Sequence, residues 1–297
     1  MEYFLSMCVI GLIMGIIYAL MALGLTLIFS ILHVVNFAHG EFYMLGGYLM
    51  IEVLKQLVGL HPLAAVPIVG LLVGLLGWAF ERLLLRPMHQ GKIERPGEYA
   101  VLITFGLSFF LINLALAIFG PLPHRPPAFF EGSVDLGVIK VASDRMTASL
   151  VALILLLGLL VLIQRTWLGK ALRAVSQDKE AAAVVGINPL VMNSVAFALG
   201  AGLAAISGAL LASSFSVEPT VGAGPSTRSY VIVVLGGMGS VPGSIIGGLL
   251  IGLVESFAVG YFPDPSRGLA YKSVFGLLIF ALVLLLRPRG LFGRKEA

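Results

Sequence analysis

The sequence predicts an all-α, polytopic membrane protein, a bundle of about eight spanning helices with one or two discontinuous or re-entrant segments. Its mean hydropathy is +1.02, and only 11% of its 297 residues are charged, whereas soluble domains carry about 25%. Apolar stretches of near-spanning length recur along the chain. Because they are continuous rather than alternating, helices are favoured over a membrane β-barrel.

The apolar stretches place the helices in order. The predicted spans are 5–29, 37–57, 63–85, 99–119, 147–165, 192–213, 243–260 and 271–286. Residues 1–29 lack a basic n-region, which indicates a retained span rather than a cleaved signal. The apolar piece 229–239 is too short to cross alone and ends in glycines, so a half-helix or re-entrant segment is expected there. A similar break, at 33–41, precedes the second span.

The cations predict the orientation. They cluster after the third span (82–95), after the fifth (165–179) and in the tail (287–295). These regions, including the C-terminus, are expected to be cytoplasmic. The loops 120–146, 214–228 and 261–272 are then external. This arrangement requires residues 229–260 to cross twice or re-enter, and it leaves the side of the N-terminus open.

The chain is predicted to be one transmembrane domain over 1–297, with a cytoplasmic loop at 166–191 and an external loop at 120–146. Alternating residues at 134–142 indicate a short strand pair in the external loop. The alternative is an ordered loop with no special role.

Several function classes are excluded by what the sequence contains. Its single cysteine, Cys8, allows neither a disulfide framework nor a cysteine-based metal site. HExxH, GxSxG and paired-aspartate motifs are missing, so we expect no catalytic residues, no metal site and no enzyme activity. The net charge of +4 comes from cations beside spans, and no nucleic-acid partner is predicted.

One polar segment, LGKALRAVSQDKEAAAVVGINP (168–189), interrupts the apolar sequence. Ser176 is the predicted N-cap of a short helix over about 177–185, with Asp178 and Glu180 in its first turn. Such a short helix is marginal alone in water, so a partner surface is expected to hold it. The alternative is an amphipathic helix resting on the bilayer, although the segment lacks a strong aromatic or leucine face.

The rest of this segment suits a docking helix. Gly186 fits the position just after the helix, and Pro189 prevents its continuation. The central alanines offer little bulk and permit a partner to approach closely. Their neighbours Lys179 and Glu180 would fix the position of the helix on that partner. The predicted contact residues are Ser176, Asp178, Lys179, Glu180, Ala181, Ala182, Gly186 and Pro189.

These residues carry a resemblance. Glu180-Ala181-Ala182 followed by Gly186 and Pro189 resembles the EAA-type cytoplasmic motif of ABC importer permeases. WLGKALRAVSQDKEAAAVVGIN is similar to the high-affinity branched-chain amino acid permeases in particular. Three further stretches support that family, and the resemblance covers nearly the whole chain. They are 18–48, 235–248 and 285–293.

The resemblance implies a function and partners. The family consists of two related permease subunits, two ATPases and an external substrate-binding protein in the bacterial inner membrane. This chain would be one permease subunit, with the short helix docked on an ATPase. It contains no GxxxxGK[ST] phosphate loop, so it is expected to bind no cofactor, and its partners would hydrolyse ATP. The implied substrates are leucine, isoleucine or valine, although related systems carry other amino acids, short amides or urea.

Polar residues at membrane depth mark a candidate translocation path. The helix that begins near Asn36 would point its positive dipole end at a substrate carboxylate. The alternatives are that these residues only cap a helix, or that Glu41 pairs with Arg82 or Arg86. The candidates are Asn36, His39, Gly40, Glu41, Thr104, Ser108, Gly236 and Gly237.

Some of these candidates have a structural alternative. Thr104 and Ser108 share a helix face that would line the path. Gly236 and Gly237 suit either a flexible break beside the path or close helix packing. Glu255 is expected either to pair within the bundle or to line the path.

A function of another class also fits the composition, namely a self-contained secondary transporter or channel for a small polar solute. It would need a site for a coupling ion, such as paired intramembrane carboxylates. Glu41 and Glu255 are the deep candidates, and they need not meet.

Overall fold

The computed structural model describes residues 1–135, 137 and 139–293, without the side chains of residues 265 and 266. These residues form an α-helical bundle with one small antiparallel sheet. A wider π-helical turn, Glu81–Leu85, joins α3 to α4. The helices are α1 (Glu2–Leu32), α2 (His39–Gln56), α3 (Pro62–Phe80), α4 (Arg86–His89), α5 (Pro96–Phe119), α6 (Ser143–Arg165), α7 (Trp167–Gln177), α8 (Lys179–Val184), α9 (Pro189–Ala212), α10 (Ala223–Gly236), α11 (Val241–Gly260) and α12 (Pro265–Leu286), and the strands are β1 (Ser133–Asp135) and β2 (Lys140–Ala142).

The predicted helical bundle is confirmed. Each of the eight predicted spans coincides with a helix. Within the described residues, seven helical stretches are long and apolar enough to cross a membrane: α1, α3 continued to His89, α5, α6, α9, α11 and α12. Of the eight helices that coincide with predicted spans, α2 alone lies outside that group, and it carries Glu41, Glu52 and Lys55 among its 18 residues.

Small residues bring the central helices close together. Among the seven, α9 is the most deeply buried, and it packs against α1, α2 and α3. Along α1 and α11, Gly11 and Gly15 face Gly252 and Gly248 so closely that added Cβ atoms would collide with backbone. Such contacts allow helices to pack where lipid offers no hydrophobic driving force.

Helix α2 begins beside the middle of α1 rather than at its end. Nε2 of His39 lies 3.1 Å from the carbonyl oxygen of Met21. At a rise of ~1.5 Å per residue, Met21 is about 16 Å along the axis from the end of α1 at Leu32. Residues 33–38 therefore run back into the bundle, where the Tyr230 hydroxyl donates to the Asn36 carbonyl at 2.6 Å.

The 14-residue helix α10 begins at the same central point. Gly222, its N-cap, packs against Gly40 in the first turn of α2. A Cβ atom on either glycine would collide with the carbonyl oxygen of the other. The two helices thus start together in the interior and extend toward opposite ends of the bundle.

The C-terminal segment closes the other end of α10. The amides of Leu291 and Phe292 donate to the carbonyls of Leu235 and Gly236, at 2.8 and 3.0 Å. These helix-terminal carbonyls would otherwise lack a hydrogen-bond donor. The stretch 285–293 therefore has a structural role that the sequence alone did not reveal.

The predicted cytoplasmic regions lie at one end of the bundle, which we call the coupling end because it holds α8. His33, just after α1, and His89, at the end of α4, both lie close enough to Lys179 for their charges to interact. Gly237 at the end of α10 packs against Gly293. Arg294 and Lys295 lie outside the described residues.

The predicted strand pair is also present, at the opposite end. Val134 pairs with Val141 in the antiparallel register of β1 and β2. The Asp144 carboxylate accepts hydrogen bonds from Phe129 N and from the hydroxyls of Ser213 and Ser214. These bonds tie the loop to the end of α9. Leu136 and Val138, within the predicted stretch, lie outside the described residues.

We expect Gly40→Ala to lower the melting temperature of the purified protein, because the new methyl group would force the starts of α2 and α10 apart. Overpacking of this kind costs about 1–3 kcal/mol. Gly158→Ala in α6 is the matched control, since a Cβ atom there meets nothing within 4 Å. Equal melting temperatures for the two variants would contradict the described contact.

Candidate functional site

The short helix predicted in the polar segment exists, but with a different cap. It is α8, and its N-cap is Asp178, whose Oδ1 accepts from the amides of Glu180 and Ala181 at 2.9 and 3.0 Å. The prediction of Ser176 as the cap was wrong. Ser176 belongs to α7 and donates its hydroxyl to Arg173 O at 2.8 Å, because α7 continues to Gln177.

The end of α8 agrees with the sequence. Gly186 has φ +85°, the left-handed conformation that commonly ends helices. Asn188 then caps α9 by accepting from the amides of Leu190 and Val191. Pro189 occupies the first turn of α9, so two helices meet across a tight and well-capped link.

The surface of α8 divides into a face turned inward and a face turned outward. Ala182 is buried against the protein, whereas Glu180 and Ala181 are exposed. Val184 and Val185 are 87% and 73% exposed. Exposed apolar side chains beside charged ones on a short projecting helix are typical of a surface that another protein covers.

A groove of about 590 Å³ runs beside α8 and is lined in part by His89, Lys179, Glu180 and Asn188. Burial lowers the pKa of the Lys179 ammonium. Burial and the nearby Lys179 charge together lower the pKa of His33. A half-buried cation therefore lies at the inner edge of the groove, with Glu180 at its rim.

A second site lies where α2 and α10 begin, and we call it the central junction. It comprises Asn36, His39, Gly40, Glu41 and Gly222. Asn36 and His39 are fully buried, and Glu41 is 6% exposed. The Asn36 side chain accepts from Ala38 N at 3.1 Å, a local bond that fixes the chain just before α2 begins. The structure thus brings together all four residues predicted around the start of the second span.

Hydrogen bonding at the central junction is incomplete. Because His39 Nε2 faces a carbonyl oxygen, that nitrogen is the donor, and Nδ1 is left as an acceptor. His39 Nδ1, Asn36 Nδ2 and Glu41 Oε2 have no hydrogen-bond partner among the described residues. Native proteins rarely leave buried polar atoms in this state, and such atoms require an explanation.

Helix α5 forms one wall beside the central junction. The Ser108 hydroxyl lies beside the Glu41 carboxyl. Thr104, buried one turn earlier, donates to the Ala100 carbonyl of its own helix at 2.8 Å. Phe105 meets Phe37 edge to face, with ring centroids 6.2 Å apart. The face predicted from Thr104 and Ser108 therefore does adjoin the start of α2.

The other predicted path residues lie elsewhere. Gly236 and Gly237 are at the coupling end of α10, packed against Gly243 and Gly293. This placement favours the packing alternative for both glycines. No described cation forms an ion pair with Glu41. Arg82, one of its suggested partners, instead lies over the ring of Trp78.

Glu255 is paired within the bundle, one of the two alternatives for it. Its carboxylate accepts from Arg228 Nε at 2.8 Å and from the Tyr18 hydroxyl at 3.0 Å, and it lies 3.1 Å from Lys272 Nζ. We call these four residues the charged cluster. It joins α1, α10, α11 and α12. Two of its members, Arg228 and Glu255, line a cavity of about 200 Å³.

Sequence reasoning missed the three partners of Glu255 in this cluster, including both cations. Arg228 and Lys272 were expected in external loops, but they lie within α10 and α12. Both helices begin before their apolar stretches, at residues 223 and 265. Their first turns contain glycine, proline and serine, so hydropathy did not reveal where they start. A signal was present: a buried carboxylate in one span requires a cation in another.

Asp178→Ala should unfold α8 locally, whereas Ser176→Ala should not, because only Asp178 caps the helix. The loss of an N-cap costs about 1 kcal/mol, a large fraction of the stability of so short a helix. Amide hydrogen exchange at residues 179–184 measures the effect. Faster exchange in Ser176→Ala than in Asp178→Ala would contradict the assignment.

Glu255→Gln should destabilise the protein by about 3–5 kcal/mol, because it leaves two partly buried cations without their counter-charge. Glu98→Gln is the control: its exposed pair with Arg95 is worth about 0–1 kcal/mol. Thermal unfolding of the two variants in detergent compares them. An unchanged melting temperature for Glu255→Gln would show that the charged cluster contributes little.

Comparisons of the sequence with known proteins identify a family. Residues 7–286 match the model of a family described as the permease component of branched-chain amino acid transport systems. No solved structure matches the chain.

Curated relatives match nearly the whole of this chain. The high-affinity branched-chain amino acid transport system permease protein LivH of Escherichia coli K12 is 33% identical, over 99% of this chain and 97% of its own. BraD of Pseudomonas aeruginosa, a permease protein with the same description, has the same identity and coverage. LivM of E. coli K12, also so described, is 28% identical, over 93% of this chain and 67% of its own. The chain therefore belongs to the family of permease components of branched-chain amino acid transport systems.

Proposed function

We propose that this chain is a permease subunit of an ATP-driven ABC importer that moves branched-chain or related small amino acids into the cytoplasm. The observation that carries the proposal is α8. A six-residue helix, capped at its start and linked tightly to the central helix α9, presents exposed valines and Glu180 outward. Such a surface suits a moving partner, and the match to amino acid permeases extends over nearly the whole chain.

The proposal includes the partners of this chain. ATP is hydrolysed by two ATPase subunits that dock on α8, and this chain binds no cofactor and performs no catalytic step. An external binding protein delivers the substrate. The similarity to both LivH and LivM supports a second, related permease subunit as the other half of the pathway.

The proposed membrane arrangement places the coupling end in the cytoplasm of a bacterial cell, at the inner membrane. The C-terminus is then cytoplasmic, and Glu2 lies outside, at the opposite end of α1. In this arrangement α2 and α10 are half-helices that start near the middle of the membrane. The sequence requires residues 229–260 to cross twice or to re-enter. The arrangement meets this requirement with two crossings, because residues 213–236 cross from the outside to the coupling end as a loop followed by the half-helix α10, and α11 then crosses back.

The central junction is the proposed substrate path. It lies at the start of two half-helices, the position at which transporters commonly bind substrates. The proposed path residues are Asn36, His39, Gly40, Glu41, Thr104 and Ser108. A self-contained secondary transporter is not favoured, because Glu255 already binds Arg228 and Lys272 and is not available to a coupling ion.

Glu180→Lys should abolish ATP-driven uptake by the reconstituted complex without affecting membrane insertion, because it reverses the charge of the proposed docking surface. Losing a central interface contact reduces binding at least about tenfold. Glu94→Lys, an exposed residue in the loop at the same end, is the control. The readouts are uptake into proteoliposomes and co-purification of two ATPases. Normal uptake in Glu180→Lys would refute the docking role of α8.

A further inference from the structure

We propose that the Glu41 carboxylate binds the α-ammonium group of the transported amino acid at the central junction, while the converging N-termini of α2 and α10 hold its carboxylate. This assignment rests on the proposed function and names the recognition chemistry of its path. A neutral amino acid carries one charge of each sign, and the central junction offers a partner for both.

The positive side of the site comes from the two helix starts. Gly40 and Gly222 bring them into contact, so the partial positive charges of two helices meet at one point. Neither helix has a side-chain hydrogen bond that caps its first turn. The fully buried Asn36, held at this point by its bond to Ala38 N, adds an Nδ2 donor without a partner among the described residues.

The negative side comes from Glu41. Its side chain is almost fully buried, and the described part of the chain supplies no cation to pair with it. Burial disfavours the charged form, the Ser108 hydroxyl and the helix start offset only part of that cost, and Oε2 still lacks a donor. A buried carboxylate of this kind needs a cationic hydrogen-bond donor. An ammonium group supplies both the charge and the hydrogen bond.

The contrast with Glu255 supports this assignment. Glu255 has two cations and a hydroxyl around it, as expected of a carboxylate with a structural role. Glu41, in the first turn of α2, has the Ser108 hydroxyl beside it, and its Oε2 has no hydrogen-bond partner among the described residues. The same residue type is thus neutralised by the protein in one place and left for a ligand in the other.

An apolar surface adjoins the charged groups. Phe37 and Phe105 meet edge to face beside the start of α2, and they are 37% and 49% exposed. Tyr230 packs against Phe37, with ring centroids 6.0 Å apart. Aromatic faces of this kind suit an aliphatic side chain, so the site fits a small apolar amino acid better than a sugar or an inorganic ion.

The test is a ligand-protection experiment on the whole complex in lipid nanodiscs, without nucleotide or binding protein. A single reporter cysteine, Phe105→Cys in a Cys8→Ser background, is alkylated, and its rate is read by mass spectrometry of this chain. The ligands are leucine and 4-methylpentanoate, which has the same carboxylate and aliphatic chain but no ammonium group. Glu41→Gln is compared with Glu52→Gln, a partly exposed carboxylate on the same helix that pairs with Lys55.

We expect leucine to protect the reporter at a concentration at least about tenfold lower than 4-methylpentanoate, the factor for one charge-assisted hydrogen bond. Glu41→Gln should remove this advantage, and Glu52→Gln should retain it. The inference is overturned if Glu41→Gln keeps the advantage. It is also overturned if the two ligands protect equally, a comparison that remains decisive even if Glu41→Gln fails to assemble.

A separate measurement distinguishes failure of this inference from failure of the proposed function. The unmodified complex is reconstituted with its binding protein and ATP, and leucine uptake is measured. If leucine is taken up but protects the reporter no better than 4-methylpentanoate, the importer proposal stands and the role of Glu41 is refuted. Absence of uptake of any small amino acid would instead remove the proposed function itself.

Discussion

A bilayer offers no water to a backbone that leaves a helix within it, so such backbone must be enclosed by protein. This constraint governs the centre of the molecule, where residues 33–38 and the loop before α10 both enter the bundle in non-helical conformations. Asn36, Ala38 and Gly222 are buried there. The close packing of α1, α9 and α11, made possible by small residues, provides that enclosure.

Two of the buried carboxylates, Glu255 and Glu41, are treated differently by the protein. Glu255 is compensated by Arg228 and Lys272, and this pairing joins three helices to α1. Glu41 lies close to the point where α2 and α10 meet, and its surroundings in this chain are incomplete. A protein can leave a buried polar atom without a partner where function requires it, since the energetic cost is offset by the rest of the fold.

The path from α8 to the interior is short and mechanically direct. Asn188 and Pro189 start α9 immediately after the turn at Gly186, so a displacement of α8 acts on the first turn of α9. Helix α9 packs along α2. The two backbones touch at Gly208 and Tyr43, where an added Cβ atom would collide with the Tyr43 carbonyl oxygen. Motion at the coupling end would therefore reach the start of α2 through rigid helices.

The sequence by itself determined the helical class, the positions of the eight predicted helices and the existence of a short polar helix, because hydropathy and capping residues are local properties. It also grouped Asn36 to Glu41, which are neighbours in the chain. Tertiary structure alone decided that α2 and α10 start at one point, and that Arg228 and Lys272 bind Glu255. It also decided that Gly236 lies away from that point. These are long-range contacts, and local patterns carry no information about which distant residues meet.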